Sequence, residues 1–174
     1  MKKLTSIILF TMLFSLGAMA QTDAVSKFFE KYGADEDFTE VTVSSRMFGL
    51  FTDMEVESEE DQEILDAISK LTGLKMLVKD EASDAMALYK DLISKMPKDG
   101  FDELMSLREE DQIMKFMIKE KGGKISELVL VSGGDTNFFV IRLLGEIDLK
   151  QVSKLSQKMN IEGLDKLENL EDKN

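Results

Sequence analysis

No cysteine occurs anywhere in this chain, and no histidine or tryptophan either. Without cysteine there is no disulfide, no thiol nucleophile and no lipid-bearing cysteine of the kind that anchors bacterial lipoproteins, so the fold has to stand on packing. Without histidine the chain lacks the side chain most used for proton transfer near neutrality, for catalytic triads and for zinc, iron or copper ligation. Without tryptophan it lacks the usual platform for stacking on sugars. Basic residues are scarce as well: 22 Lys and Arg stand against 34 Asp and Glu, a net charge of −12. Phosphate binding rests on clustered Lys and Arg, so this balance argues against nucleic acid as a ligand. A basic peptide, a divalent cation or simply solvent is the more natural partner of such a field.

What is present begins at the N-terminus. Lys2 and Lys3 precede an apolar run from Leu4 to Leu16, followed by Ala18-Met19-Ala20 and Gln21. That order predicts a secretory signal peptide over residues 1–20, cleaved between Ala20 and Gln21. The run is short for a hydrocarbon core of ~30 Å and no second run approaches that length, so no transmembrane segment is expected in the mature chain. Lys2 and Lys3 leave with the leader, so the mature chain holds 20 basic and 34 acidic residues, a net charge of −14. Residues 21–167 are expected to form a single domain and residues 168–174 a charged, disordered tail.

Val25, Phe28, Phe29 and Tyr32 fall on one helical stripe closed by Gly33. Phe38 to Ser45 alternates as a strand. Ser58 and Asp61 form a capping signal for a helix through Ile64, Leu65, Ile68 and Leu71, which Gly73 is expected to end. Leu74 to Lys79 reads as a second strand, and Ala82 to Met96 as a helix stopped by Pro97. Strands are then predicted near 101–108, 111–120, 124–132 and 137–146. Gly122-Gly123 and Gly133-Gly134-Asp135 supply the turns. Met114, Phe116 and Ile118 share a core face of their strand, with Lys115 and Lys119 on the other; the next two strands are apolar on both faces and therefore central. Asp148 caps a last helix carrying Leu149, Val152, Leu155 and Met159, followed by a short segment from Ile161 to Leu167. The fold class is α+β: a mixed, largely antiparallel sheet with a C-terminal four-strand meander and helices packed on it.

Chemistry-bearing patterns are few. Between Arg46 and Lys70 there are eight carboxylates and no basic residue. No window has the ligand spacing of an EF-hand, so a solvated loop leading into the acidic first turn of a helix outweighs a calcium site. Asp35, Glu36 and Asp37, and Asp135 beside Asn137, read the same way. Paired carboxylates could serve a glycosidase, and Ser83, Ser94 or Ser153 near lysines a serine hydrolase, but nothing selects one pair or one serine. No catalytic residue, cofactor or metal site is assigned. Met47, Phe48, Leu50, Phe51 and Met54, around Gly49, are the most suggestive cluster. They fit either an adaptable hydrophobic lip for a partner or a short buried helix sealing one edge of the core, with the buried helix favoured.

The mature sequence resembles the exported bacterial family named domain of unknown function 4252. The resemblance is carried by the leader, by Val41-Thr42-Val43-Ser44 leading to Met47-Phe48, by Leu71-Thr72-Gly73-Leu74-Lys75, and by the Phe138 to Leu149 segment. It implies a Bacteroidetes envelope protein, periplasmic or secreted, and it implies no activity. Together with the missing catalytic constellation, this gives the functional expectation of a non-catalytic domain that binds another envelope component through the sheet's open face, an edge strand or the Met47 to Met54 segment. No motif names that partner or sets the oligomeric state. A histidine-free hydrolase or a cation-binding acidic domain is the alternative.

Overall fold

Period-two alternation in the second half of the chain builds most of the sheet. The computed structural model describes residues 23–52, 56 and 58–159. The expected leader with its Ala20–Gln21 junction, Met54, the segment from Ile161 to Leu167 and the charged tail lie outside the described residues. In chain order the elements are α1 (Ala24–Tyr32), β1 (Thr39–Ser44), α2 (Ser45–Thr52), α3 (Glu59–Ser69), β2 (Leu71–Lys79), α4 (Ala85–Ile93), a 3-10 turn (Met96–Asp99), β3 (Asp102–Arg108), β4 (Gln112–Lys121), β5 (Lys124–Gly134), β6 (Phe138–Ile147) and α5 (Leu149–Met159). The six strands form one sheet in the order β1-β2-β6-β5-β4-β3. Every pairing is antiparallel, and β3 to β6 make the expected meander. The fold is α+β.

Both faces of the sheet are covered by helices, so among the described residues it has no open face of the kind expected for a partner. On one, Val25, Phe28 and Phe29 of α1 and Leu88, Tyr89 and Leu92 of α4 pack over Leu77, Met117, Val129, Val131, Phe138 and Val140. Phe28 anchors this layer through its ring contacts with Phe138 at 5.5 Å and Tyr32 at 4.6 Å. On the other face Phe48 of α2, Ile64, Leu65 and Ile68 of α3 and Val152 of α5 pack over Met114, Phe116, Ile118, Leu128, Leu130, Ile141 and Leu143. Each fully buried Phe or Leu contributes about 1.5–3 kcal/mol relative to exposure. The caps follow the sequence: Ser58 Oγ accepts the Asp61 N–H at 3.0 Å, and Asp148 Oδ1 accepts the Lys150 N–H at 3.0 Å.

Three expectations change. First, β4 has a core on both sides, because Met117, between Lys115 and Lys119, is buried under the α1/α4 layer. Second, Gly73 does not end α3. The helix stops at Ser69, and Gly73 lies inside β2 at a register shift opposite β6. Third, Gly133 and Gly134 are strand residues rather than a turn, paired with Ile113 and Gln112. A Cβ on Gly133 would sit 2.5 Å from Tyr89 Cβ, so this glycine lets α4 cross close above the sheet. By contrast Gly122 and Gly123, at φ 63° and 77°, form the β4–β5 hairpin turn as expected.

Candidate functional site

The suggestive Met47 cluster falls on α2, which begins where β1 ends. A helix there gives the segment two faces. Phe48 is 8% exposed and joins the core, whereas Met47 is 47% and Leu50, three residues on, 64% exposed. Phe51 lies within the same helix. Next to Leu50, a Cβ on Gly49 would meet nothing within 4 Å. Val41 of β1 is the other large hydrophobic exposed among the described residues. It shares a strand face with Val43, which packs toward the α2/α3 side. The exposed large apolar side chains of the described chain therefore all fall between positions 41 and 50. One face of α2 seals the core, and the other is open.

Three members of the acidic stretch have structural roles, while Asp53, Glu55 and Glu57 lie outside the described residues. Asp61 receives the Ser58 hydroxyl at 2.7 Å, Asp66 the Gln62 amide at 3.0 Å, and Glu63 pairs with Lys154 at 3.2 Å. The Lys154 hydrogen bond, with that of Gln151 behind it, holds the Glu63 carboxyl below its ordinary value. Among the described residues no three acidic side chains converge as metal ligands would. Asp35 accepts the Asp37 N–H, and Asp135 donates its own N–H to the Asp111 carbonyl. Of the nominal serines, Ser94 donates to the Asp91 carbonyl at 3.0 Å, Ser153 is buried, and Ser83 lies in the turn before α4 rather than in a helix.

A buried charge cluster not anticipated from the sequence lies beneath the start of α1. Lys119 and Glu127 are direct cross-strand partners on β4 and β5, and Arg142 of β6 is opposite Val129, two residues along from Glu127. All three project to the α1/α4 face. Arg142 Nε meets Glu127 Oε1 at 2.6 Å, Arg142 Nη2 meets Asp23 Oδ2 at 3.0 Å, and Arg142 Nη1 donates to Ser26 Oγ at 2.6 Å. Lys119 Nζ is 3.8 Å from Glu127 and 3.9 Å from Asp23, and stands 4.1 Å over the Phe101 ring. Asp23 is also the N-cap of α1, accepting the Ser26 N–H at 2.8 Å. Burial, the largest influence, raises the Glu127 carboxyl above its ordinary 4.5 despite the neighbouring cations. Burial also pushes Asp23 upward, but the Ser26 N–H together with Arg142 and Lys119 outweighs it, and the carboxyl lies below its ordinary 3.8. The signal for this cluster was a charge within each of two otherwise apolar central strands, Glu127 and Arg142, which burial obliges to pair.

Residues 32–155 match the family described as Domain of unknown function (DUF4252). The chain belongs to that family. The matched span runs from the end of α1 into α5, so it takes in the whole sheet and the α2 rim, while Asp23 and Ser26 precede it. No curated protein and no solved structure matches the chain.

Proposed function

We propose that this DUF4252 domain is exported and acts by binding rather than catalysis, docking a basic protein partner of the cell envelope on the β1–α2 rim. The observation that carries the reading is the confinement of exposed Val41, Met47 and Leu50 to one ten-residue stretch. Methionine in such a rim adapts its shape to a partner at little cost. Next to α2 packs α3, with Glu59, Asp61, Glu63 and Asp66, so an apolar contact ringed by lysine or arginine complements this surface. A second copy of the chain would bring like charge to like. Export rests on the leader pattern, and a sequence without cysteine offers no site for the lipid of a bacterial lipoprotein.

A photo-crosslinking residue at position 50 tests this, with position 90 on α4 as control. The expected result is one crosslinked envelope protein from position 50 alone. Once purified, that protein binds in a salt-dependent way and loses at least roughly tenfold in affinity with Met47→Glu. A crosslinked homodimer, equal crosslinking from both positions, or a captured protein that does not bind once purified would overturn the docking surface. Turnover of a glycan, peptide or ester panel, abolished by a single carboxylate or serine substitution, would establish the hydrolase instead. N-terminal sequencing of the exported form is expected to begin at Gln21.

A further inference from the structure

On the opposite side of the sheet from α2, α1 and the α4/3-10 segment enclose a cleft of about 470 Å³. Its volume is that of small-molecule sites, which run from roughly 300 to 1,000 Å³. Its apolar lining is Tyr32 with the edge of Phe28, which is only 5% exposed, while Leu92 at 1% offers it almost nothing; the rim carries Lys27, Lys31, Lys95 and Lys98. Residues four apart on α1 produce this division: Lys27 and Lys31 form one stripe, and Phe28 and Tyr32 the adjoining one.

The charge of the lining runs against that of the whole chain. Four lysines face two aspartates, Asp91 and Asp99, whereas the full chain carries −12. Both aspartates are already engaged. Asp91 holds Lys95 at 2.7 Å, and Asp99 Oδ2 accepts the Ala24 N–H at 2.6 Å. Lys31 donates to Tyr32 Oη at 2.8 Å and stands over its ring. Lys27 and Lys98 have no carboxylate partner among the described residues. The sequence hides this convergence, because these lysines come from two distant segments and neither segment is basic by itself. Like charges gathered at one rim repel, and in a protein this rich in carboxylates three of the four are left without one, Lys31 having only the Tyr32 hydroxyl.

We infer that this cleft binds a small amphiphilic anion, with a single carboxylate or phosphate head at Lys27 and Lys98 and a compact apolar body over Tyr32 and the exposed edge of Phe28. The inference is independent of the α2 docking surface, since the two lie on opposite faces of the sheet. The apolar floor makes a bare anion a poor ligand, and the lysine rim makes a neutral amphiphile a poor one.

The test titrates the exported protein with laurate, and in parallel with dodecanol, inorganic phosphate and phosphatidylglycerol vesicles, following amide shifts by NMR. Laurate is expected to saturate below about 1 mM, with the shifts concentrated on α1, α4 and the 3-10 turn. Lys27→Glu with Lys98→Glu is expected to weaken it by roughly tenfold or more while leaving the melting temperature unchanged or higher. Lys70→Glu, outside the cleft, should change nothing. Absence of saturable laurate binding, shifts centred elsewhere, or indifference to the double substitution would overturn the inference. Equal binding of dodecanol would reduce the site to an apolar groove, equal binding of phosphate to an ion patch, and binding of vesicles without free laurate to a membrane contact. Each of these three outcomes refutes the amphiphile assignment. None of them bears on crosslinking at position 50.

Discussion

The two faces of the sheet bury similar apolar side chains but treat charge in opposite ways. Under α2, α3 and α5 no charged side chain is buried among the described residues, and the buried polar groups are the hydroxyls of Ser132 and Ser153. Under α1 the central strands place Lys119, Glu127 and Arg142 side by side, and Lys75 of β2 continues the row as the register partner of Arg142. A charged row across a sheet can be buried only if something brings the missing countercharge. Here α1 does so, through Asp23, which neutralises Arg142 with the same carboxylate that caps the helix. The α1 layer is therefore located by charge as well as by apolar contact, whereas no buried ion pair among the described residues ties the α2/α3 layer to the sheet.

The sharpest way to break that contrast is to remove the shared cation. Arg142→Ala leaves Glu127 and Asp23 facing each other with only Lys119 nearby. The expected loss is about 3 kcal/mol, the low end for a buried pair deprived of one partner because Asp23 keeps some solvent contact. For a domain of this size that lowers the melting temperature by roughly 6–12 °C. Hydrogen exchange is expected to rise first in α1, while α3 keeps its protection. A uniform loss across both faces would show that the cluster does not locate α1 in particular.

A smaller effect separates the two carboxylates by pH. Burial raises Glu127 in the folded protein, so the native state holds that proton more tightly than the unfolded chain, and stability rises as pH falls from neutrality toward 4.5. Asp23 is lowered, so its contribution is complete above 3.8 and is lost as pH falls through its folded value. Glu127→Gln keeps an acceptor for Arg142 but cannot titrate. The difference between wild-type and variant stability, measured by urea unfolding, is expected to change between neutrality and pH 4.5 in favour of wild type at the acid end. Below 3.8 the two curves should fall in parallel. A difference that stays flat from neutrality to pH 4.5 would mean that Glu127 titrates alike in both states.

How much of this was legible in the sequence follows from the range of the forces involved. Alternation and helical spacing are local, so the meander, α1 and the caps at Ser58 and Asp148 could be read directly. Gly133 was misread because its reason lies in Tyr89, forty-four residues earlier in the chain. The charge cluster needed the register that sets Lys119 opposite Glu127, and the lysine cleft needed α1 laid beside the 3-10 turn. Met47 and Phe48 could be picked out as a cluster, but only the phase of α2 shows that one is exposed and the other buried.

That phase supplies the smallest effect and the finest contrast, within a single helix. Phe48→Ala removes a ring from the core of the apolar face and is expected to cost about 3 kcal/mol. Met47→Ser and Leu50→Ser lie one and two positions away on the open side, and each is expected to change stability by no more than about 0.5 kcal/mol. Thermal melts of the three variants measure this directly. If the two serine variants melt near wild type yet lose the crosslink from α2, the exposed side chains serve recognition rather than folding. If they destabilise as Phe48→Ala does, α2 is a core helix on all sides, and the rim has no surface to offer a partner.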